Sequence, residues 1–432
     1  MKSINRSTAL ALILFAGLAN AQTTAITGAT VHTVGPQGTI ENATVVFADG
    51  RIVAVGSDVR PPDGADVIDA SGKVITPGLF TPAGYLGLVE VGFSAGPLDF
   101  VQRGDEFTAS FDVADAFNPR STLIAVNRIE GVTRALVSPE ASFPDESGLT
   151  SHVIAGLGSV VNLGGGSDSI DRRGAVMVAN LGETGALLAG GNRVTPLMIL
   201  KSALDEAVDY REHGDAYERG QHSDYSFTVQ DLEAMQRVLS ATTPMFLFVD
   251  RASDIESVIA MTREHGIRTI IAGGVEAWLL ADELAAANIA VVLAPEANLP
   301  SDFDRINATN ANVVRLVDAG VKVAFADSRD QTHNARNITQ SAGNAIVAGI
   351  TFDEALRAIT LSPAEMYGVA DRLGSIEAGK EADIVIWPGD PFELTNYPEQ
   401  VIIRGQAIDM VSRQTLLRDR YLDTETATPP AY

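Results

Sequence analysis

The sequence predicts an α/β protein: a (β/α)8 TIM-like barrel joined to a composite β-sandwich built from the N- and C-terminal segments. Three observations lead there. Both ends of the chain read as short strands punctuated by tight turns. The middle alternates uniformly apolar strands with helical patterns, the signature of βα units around a parallel sheet. Eight strand candidates can be counted through that middle, the number that closes a barrel.

The elements follow in order. Ala25–Val34 reads as a strand, and Ala43–Phe47 and Arg51–Val55 flank Asp49-Gly50, a strong hairpin signal. Ala65–Asp69 leads to a Ser71-Gly72 turn. Lys73–Phe80 is the first barrel candidate. Val132–Val137, Ser159–Leu163, Ala175–Ala179, Met245–Val249, Arg268–Ala272, Ala290–Leu293 and Val321–Ala326 are the others. Helical patterns at Ala252–Glu264, Val275–Ala287 and Ala311–Ala319 separate the later strands. The stretch 85–245 is irregular and rich in glycine and proline, so a doubly wound open sheet remains the alternative. Beyond residue 370, Gly374–Ala378, Ala382–Trp387, Val401–Ile403 and Gln406–Met410 restore β character, the last two as a hairpin around Arg404-Gly405. Residues 22–75 and 371–432 therefore form the sandwich, with the barrel, 76–370, inserted between them.

Composition narrows the function. The 432 residues are 46% hydrophobic and 20% charged, a globular balance. There is no cysteine, which excludes a thiol nucleophile, a zinc–thiolate centre and an iron–sulfur cluster. The net charge of −24, with no basic stripe, argues against nucleic acid and against an anionic membrane surface.

Residues 1–21 read as a secretory signal peptide. Lys2 and Arg6 form the basic start, Ala9–Leu18 is an apolar run of about ten residues, and Ala19-Asn20-Ala21 is an A-x-A cleavage site. The run is too short to span a bilayer. The sequence thus predicts an exported, periplasmic protein, free of the membrane after cleavage. A cysteine-free chain suits an oxidising compartment.

Several longer segments carry a resemblance. They are Ala43–Gly56 with Val67–Phe80, Ala355–Glu365 with Arg372–Trp387, and Val249–Asp254 with Ala272–Leu284. Together they span most of residues 26–405. They resemble the amidohydrolase superfamily, in particular its imidazolonepropionase-like members. The resemblance implies a distorted (β/α)8 barrel with a sandwich made from both termini. It also implies hydrolysis of non-peptide, in part cyclic, C–N bonds by a metal-activated water, with a barrel aspartate shuttling the proton.

The chain departs from that pattern where metal would bind. The family's run Pro-Gly-apolar-apolar-Asp-x-His-x-His-x-Gly here reads Pro77 to Gly87, with Ala83 and Tyr85 in the imidazole positions. Phe248 stands where the fifth strand would carry histidine, and the sixth strand ends Ala272-Gly273-Gly274. Neither alanine nor a neutral phenol replaces imidazole on zinc. Lys201 sits in a helical pattern and offers no carbamylated bridge. No metal ligand and no cofactor is therefore predicted; zinc would need a site outside the family's pattern. Asp327 fits the barrel-end aspartate in Val321–Ser328.

Candidate site residues lie after the strands. Asp327 and His333 are the catalytic candidates, since a carboxylate can orient an imidazole that titrates near neutral pH. Asp250, Arg251, Glu276 and Arg336 are the substrate-binding candidates. A supporting hydrogen-bond network, and dipole complementation at a helix start, are the plain alternatives. His32 reads as structural, His152 as ordinary and His265 as a helix C-terminal residue. His213 and His222 lie in a charged stretch, 211–224, that forms either a lid or a solvated loop. The partners expected are a small-molecule substrate or ligand, and either a second copy of the chain or a ligand-complete paralogous subunit. The functional alternative is a catalytically inactive binding or partner subunit. A polar, open mouth favours chemistry or ligand binding; a mouth plugged by Tyr85 and Phe248 favours a structural role.

Overall fold

The computed structural model describes residues 23–90, 98–104, 107–142, 152–326 and 332–422. The signal-peptide reading of residues 1–21 lies outside them, as does Asp327. Among the described residues no helix is long and apolar enough to cross a membrane.

One mixed sheet is built from both ends of the chain. Its N-terminal strands are β1 (Thr24–His32), β2 (Thr39–Ala48), β3 (Arg51–Gly56), β4 (Asp66–Asp69) and β5 (Val74–Pro77). Asp49 and Gly50 take φ of 51° and 75°, so the β2–β3 hairpin turns through the left-handed pair that its Asp-Gly signal called for. β1 bonds β4 along Thr24–Thr27 and β5 along Thr30–Val31, and β5 passes the ladder to the C-terminal strands.

The barrel strands are β6 (Leu79–Thr81), β7 (Val132–Val137), β8 (Ile154–Asn162), β9 (Ile170–Asn180), β10 (Met245–Val249), β11 (Thr269–Gly273), β12 (Ala290–Leu293) and β13 (Val323–Phe325). They pair in chain order. Two features depart from the expected pattern. Lys73–Phe80 is not one strand: β5 belongs to the terminal sheet and β6 opens the barrel, with Gly78 between them pressed against Thr133, where a β-carbon would clash. And β8 runs antiparallel to both β7 and β9, so β7–β9 is a meander, whereas β6 and β7 pair in parallel across the helix Thr122–Arg128. A short connection accounts for the β8–β9 pair: only seven residues, with no helix, join β8 to β9. From β9 to β13 the ladders are parallel.

The helices are α1 (Thr122–Arg128), α2 (Gly182–Leu188), α3 (Val194–Glu218), α4 (Val229–Leu239), α5 (Ala252–His265), α6 (Ala281–Ala286), α7 (Ala311–Asp318), α8 (Ile338–Ala348), α9 (Phe352–Ala358), α10 (Leu361–Met366) and α11 (Arg413–Leu422). No ladder joins β13 to β6 among the described residues. That seam is filled instead: α10 packs on both strands, Ile359 C=O accepts from Phe80 N–H at 2.8 Å, and the Tyr367 hydroxyl donates to Pro82 C=O. The remaining strands, β14 (Ile384–Trp387), β15 (Gln400–Ile403) and β16 (Gln406–Ala407), complete the terminal sheet.

Strand alternation sorts the core into separate clusters. Phe246, Ile270, Val292 and Ala324 point into the barrel, and the residues two further on, Phe248, Ala272 and Ala326, form the next layer toward the mouth. Leu247, Ile271, Val291 and Phe325 point outward to the helices. Ile26, Val45, Ile75, Ile384 and Ile402 fill the terminal sheet's own core. The two domains are tied by ions. Arg134 on β7 has a side chain 2% exposed and meets Asp171, Glu381 and Asp383, each at 2.7 Å.

Candidate active site

The C-terminal ends of β6, β10, β11 and β12 open into a cavity of about 510 Å3. In a barrel this is the end where loops assemble the chemistry. A larger cavity, about 860 Å3, lies against the terminal sheet beside Arg51, Glu381 and Arg404. Glu381 and Arg404 already bond each other there, and it touches no barrel strand end. The barrel mouth is the candidate site.

Its floor is apolar. Ala83, Phe246, Phe248, Ala272, Val292 and Ala326 line it, set there by the period-two alternation of their strands. Tyr85 stacks on Phe100, ring centroids 4.3 Å apart, and its hydroxyl neighbours the carboxyl of Glu140. Burial and the neighbouring Glu140 carboxylate push the Tyr85 phenol well above its ordinary range, so it stays protonated. Burial likewise raises the Glu140 carboxyl, against the lowering effect of the Tyr85 hydroxyl.

Ion pairs also line the cavity, after β10 and β12. Asp250 Oδ1 accepts from Val275 N–H at 3.2 Å, and its Oδ2 accepts from Arg305 Nε at 3.0 Å. Burial raises the Asp250 carboxyl, and Arg305 partly opposes that rise. Asp304 accepts from Glu183 N–H at 2.8 Å and from the Arg193 guanidinium, whose Nε lies 3.5 Å from Asp254. Glu183, Asp302, Asp304 and Arg305 all line the cavity.

The predicted residues are distributed unevenly. Asp250 lines the mouth. Arg251 does not: it is exposed, and its backbone carbonyl accepts from Asp254 and Ile255 at the start of α5. Glu276 is 4% exposed and serves as a tie, accepting from Ala252 N–H, Asn307 N–H and Asn307 Nδ2 at 2.9–3.0 Å. Arg336 lines a separate cavity with Glu130 and Trp387, and its guanidinium reaches Gln414 on α11. His333 is exposed and lines neither cavity. The acid–base pairing of His333 with Asp327 falls partly outside the described residues. Among those described, the mouth brings Asp250 together with Glu140, Glu183, Asp304 and Arg305, which sequence reasoning did not single out. Glu140 carried a usable signal: Ser138-Pro139-Glu140 directly follows the strand Val132–Val137.

The family's metal does not fit the described side chains here. The positions expected to hold imidazole present a methyl group at Ala83, a phenyl ring at Phe248 and a phenol at Tyr85, and the sixth strand ends at Ala272 and two glycines. The carboxylates of Asp250 and Asp304 are engaged by Arg305 and Arg193. Hard or borderline divalent cations need several free oxygen or nitrogen donors converging on one point.

Known proteins resemble this arrangement at two levels. Residues 215–408 match the model of the amidohydrolase family. The amidohydrolase tasK of Hapsidospora irregularis is 24% identical over 85% of this chain, which spans only 39% of that relative's length. The imidazolonepropionase of Mesorhizobium japonicum is 26% identical, covering 81% of this chain and 87% of the relative. Among solved structures, an amidohydrolase from Thermotoga maritima superposes with a TM-score of 0.78 at 25% identity, over 89% of this chain and 99% of the other.

Proposed function

We infer that this chain, which belongs to the amidohydrolase superfamily as an imidazolonepropionase-like member, hydrolyses a non-peptide C–N bond of a small molecule held in the barrel mouth, without the family's metal. One observation carries the reading: a single cavity at the strand ends is lined by Glu140 with its Tyr85 partner and by Asp250 with its Arg305 partner. A carboxyl raised toward neutral pH is the better general base. Glu140 takes the proton of a water as its oxygen attacks the substrate carbonyl carbon. The C–N bond breaks, and the leaving nitrogen recovers that proton from the Glu140 carboxyl. Asp250 and Arg305 orient the polar groups of the substrate, while Phe248 and Ala272 pack its apolar part. The signal-type leader at 1–21 supports an exported, periplasmic setting.

A second reading has its own observation. Ala83, Phe248, Ala272 and Ala326 form an apolar layer at the mouth, Ala83 and Phe248 where the resemblance would put imidazoles. That layer suits a catalytically inactive barrel that binds a ligand, alone or as the partner of a ligand-complete paralogue.

The experiment is turnover by chelator-treated protein of a panel of lactams, cyclic ureas and N-acyl amides. The expected result is hydrolysis that survives chelator and falls about 100-fold or more in Glu140→Gln. Saturable binding of panel members without turnover selects the second reading. Neither binding nor turnover by any member overturns both.

A further inference from the structure

Asp209 and His213 stand four residues apart on α3, on one face of the helix. His222 returns to the same face from the loop after the helix. Asp209 Oδ1 lies 3.0 Å from His213 Nδ1, and Asp209 Oδ2 lies 3.0 Å from His222 Nε2. The three ligand atoms are all within 4.8 Å of one another, and the two imidazole rings are nearly parallel, 19° apart. We propose that Asp209, His213 and His222 form a binding site for a divalent transition metal of the zinc class, separate from the barrel mouth, whose lining includes none of them.

The hydrogen bonding around His222 supports this. Its Nδ1 lies 2.9 Å from the carbonyl oxygen of Ser223, which can only accept, so Nδ1 carries the proton. In the neutral ring Nε2 is then a bare lone pair, and it faces a carboxylate oxygen that is also an acceptor. Two acceptors at 3.0 Å repel unless a proton or a metal cation joins them, and a metal cation is the one that can bring in His213 as well. A zinc ion bound at about 2.0–2.2 Å to each donor satisfies all three. The Nδ1–H to carbonyl bond is the usual outer partner of a metal-bound imidazole, fixing tautomer and ring direction. Tyr225 adds a second outer contact: its hydroxyl donates to Asp209 Oδ2 at 2.7 Å, and its ring stacks on His222. The side chains of Asp209, His213 and His222 are 39%, 51% and 23% exposed, so an ion can enter directly, with water completing the coordination. Bound metal would clasp the end of α3 to the segment 219–225.

The test is calorimetric titration of the chelator-treated full-length protein with Zn2+ at pH 8, above the ordinary histidine range of about 6.5. One equivalent should bind, and His222→Gln and His213→Gln should each weaken it by at least the roughly 10- to 100-fold that loss of an outer partner costs. A measurement on the unsubstituted protein guards against frayed variants. Zn2+ should shift the 15N resonances of His213 Nδ1 and His222 Nε2 above those of the other histidines. Absence of binding, binding unchanged in both variants, or ring shifts confined to other histidines overturns the proposal.

Discussion

Arg305, in the loop after β12, reaches Asp250 at the end of β10, with Nε and Nη2 at 3.0 and 2.9 Å from one carboxylate oxygen. The other oxygen is taken by Val275 N–H. Asp250 is thereby fixed in direction, and a carboxylate that sequence reading could only place near the mouth becomes a charge with a set orientation.

Replacing Arg305 by methionine leaves a mostly buried carboxylate with one backbone donor. An unsatisfied buried acceptor costs about 1–3 kcal/mol, and the 35% exposure of Arg305 places the expected loss at the lower end. Urea unfolding of Arg305→Met beside Arg305→Met/Asp250→Asn checks this: the double variant should recover most of the loss. No recovery would mean that Arg305 acts through its packing alone.

Glu140 gives a pH signature. Burial raises its carboxyl in the folded protein. A group raised on folding favours the folded state while it is protonated, and that advantage is lost as pH rises through the folded value. Glu140→Gln, which cannot ionise, should therefore melt higher than the unsubstituted protein at neutral pH. The gap should close on acidification below the ordinary carboxyl range. A gap independent of pH would refute the assignment of the raised carboxyl to burial.

Arg134 holds three acidic groups of two domains, Asp171 from the barrel and Glu381 and Asp383 from the terminal sheet. Arg404 shares Asp171 and Glu381 with it. Arg134→Met should destabilise by about 3–5 kcal/mol, because it strands buried carboxylates. Equilibrium denaturation followed by far-ultraviolet circular dichroism measures it. A change under 1 kcal/mol would show that Arg404 and water suffice.

The mouth should accept a metal if imidazoles are restored. Ala83→His, Tyr85→His, Phe248→His and Ala272→His together return donors to strand ends whose side chains already point inward. In a His222→Gln background, the fourfold variant should bind zinc where its parent does not, by metal analysis after dialysis. Equal zinc in both would show that the loss of imidazoles is not what empties the mouth of ligands.

Much of the fold was legible because it rests on local rules. The barrel strands from β7 onward sit in apolar runs, and the Asp49-Gly50 and Arg404-Gly405 turns announce left-handed backbone, seen at φ of 50–75°. Helix α5 ends where His265-Gly266 said it would, with Gly266 at φ 63° and His265 Nε2 3.1 Å from Asp205. Direction was not legible. An apolar run on β8 reads the same whichever way it crosses the sheet, and only the connection to β9 makes it antiparallel.

For the site, sequence alone determined side-chain identity, which decides whether an atom can ligate metal: Ala83 and Phe248 offer no donor atom and Tyr85 only a phenol. Tertiary structure decided what replaces it. Glu140, Asp250 and Arg305 are separated by more than a hundred residues at the extremes and share one cavity because β7, β10 and β12 end on the same rim. Arg336, close to Asp327 in sequence, faces Glu130 and Gln414 instead. Which charges meet is a long-range property: it depends on strand register and on the path of each loop, and neither is written in the spacing of neighbouring residues.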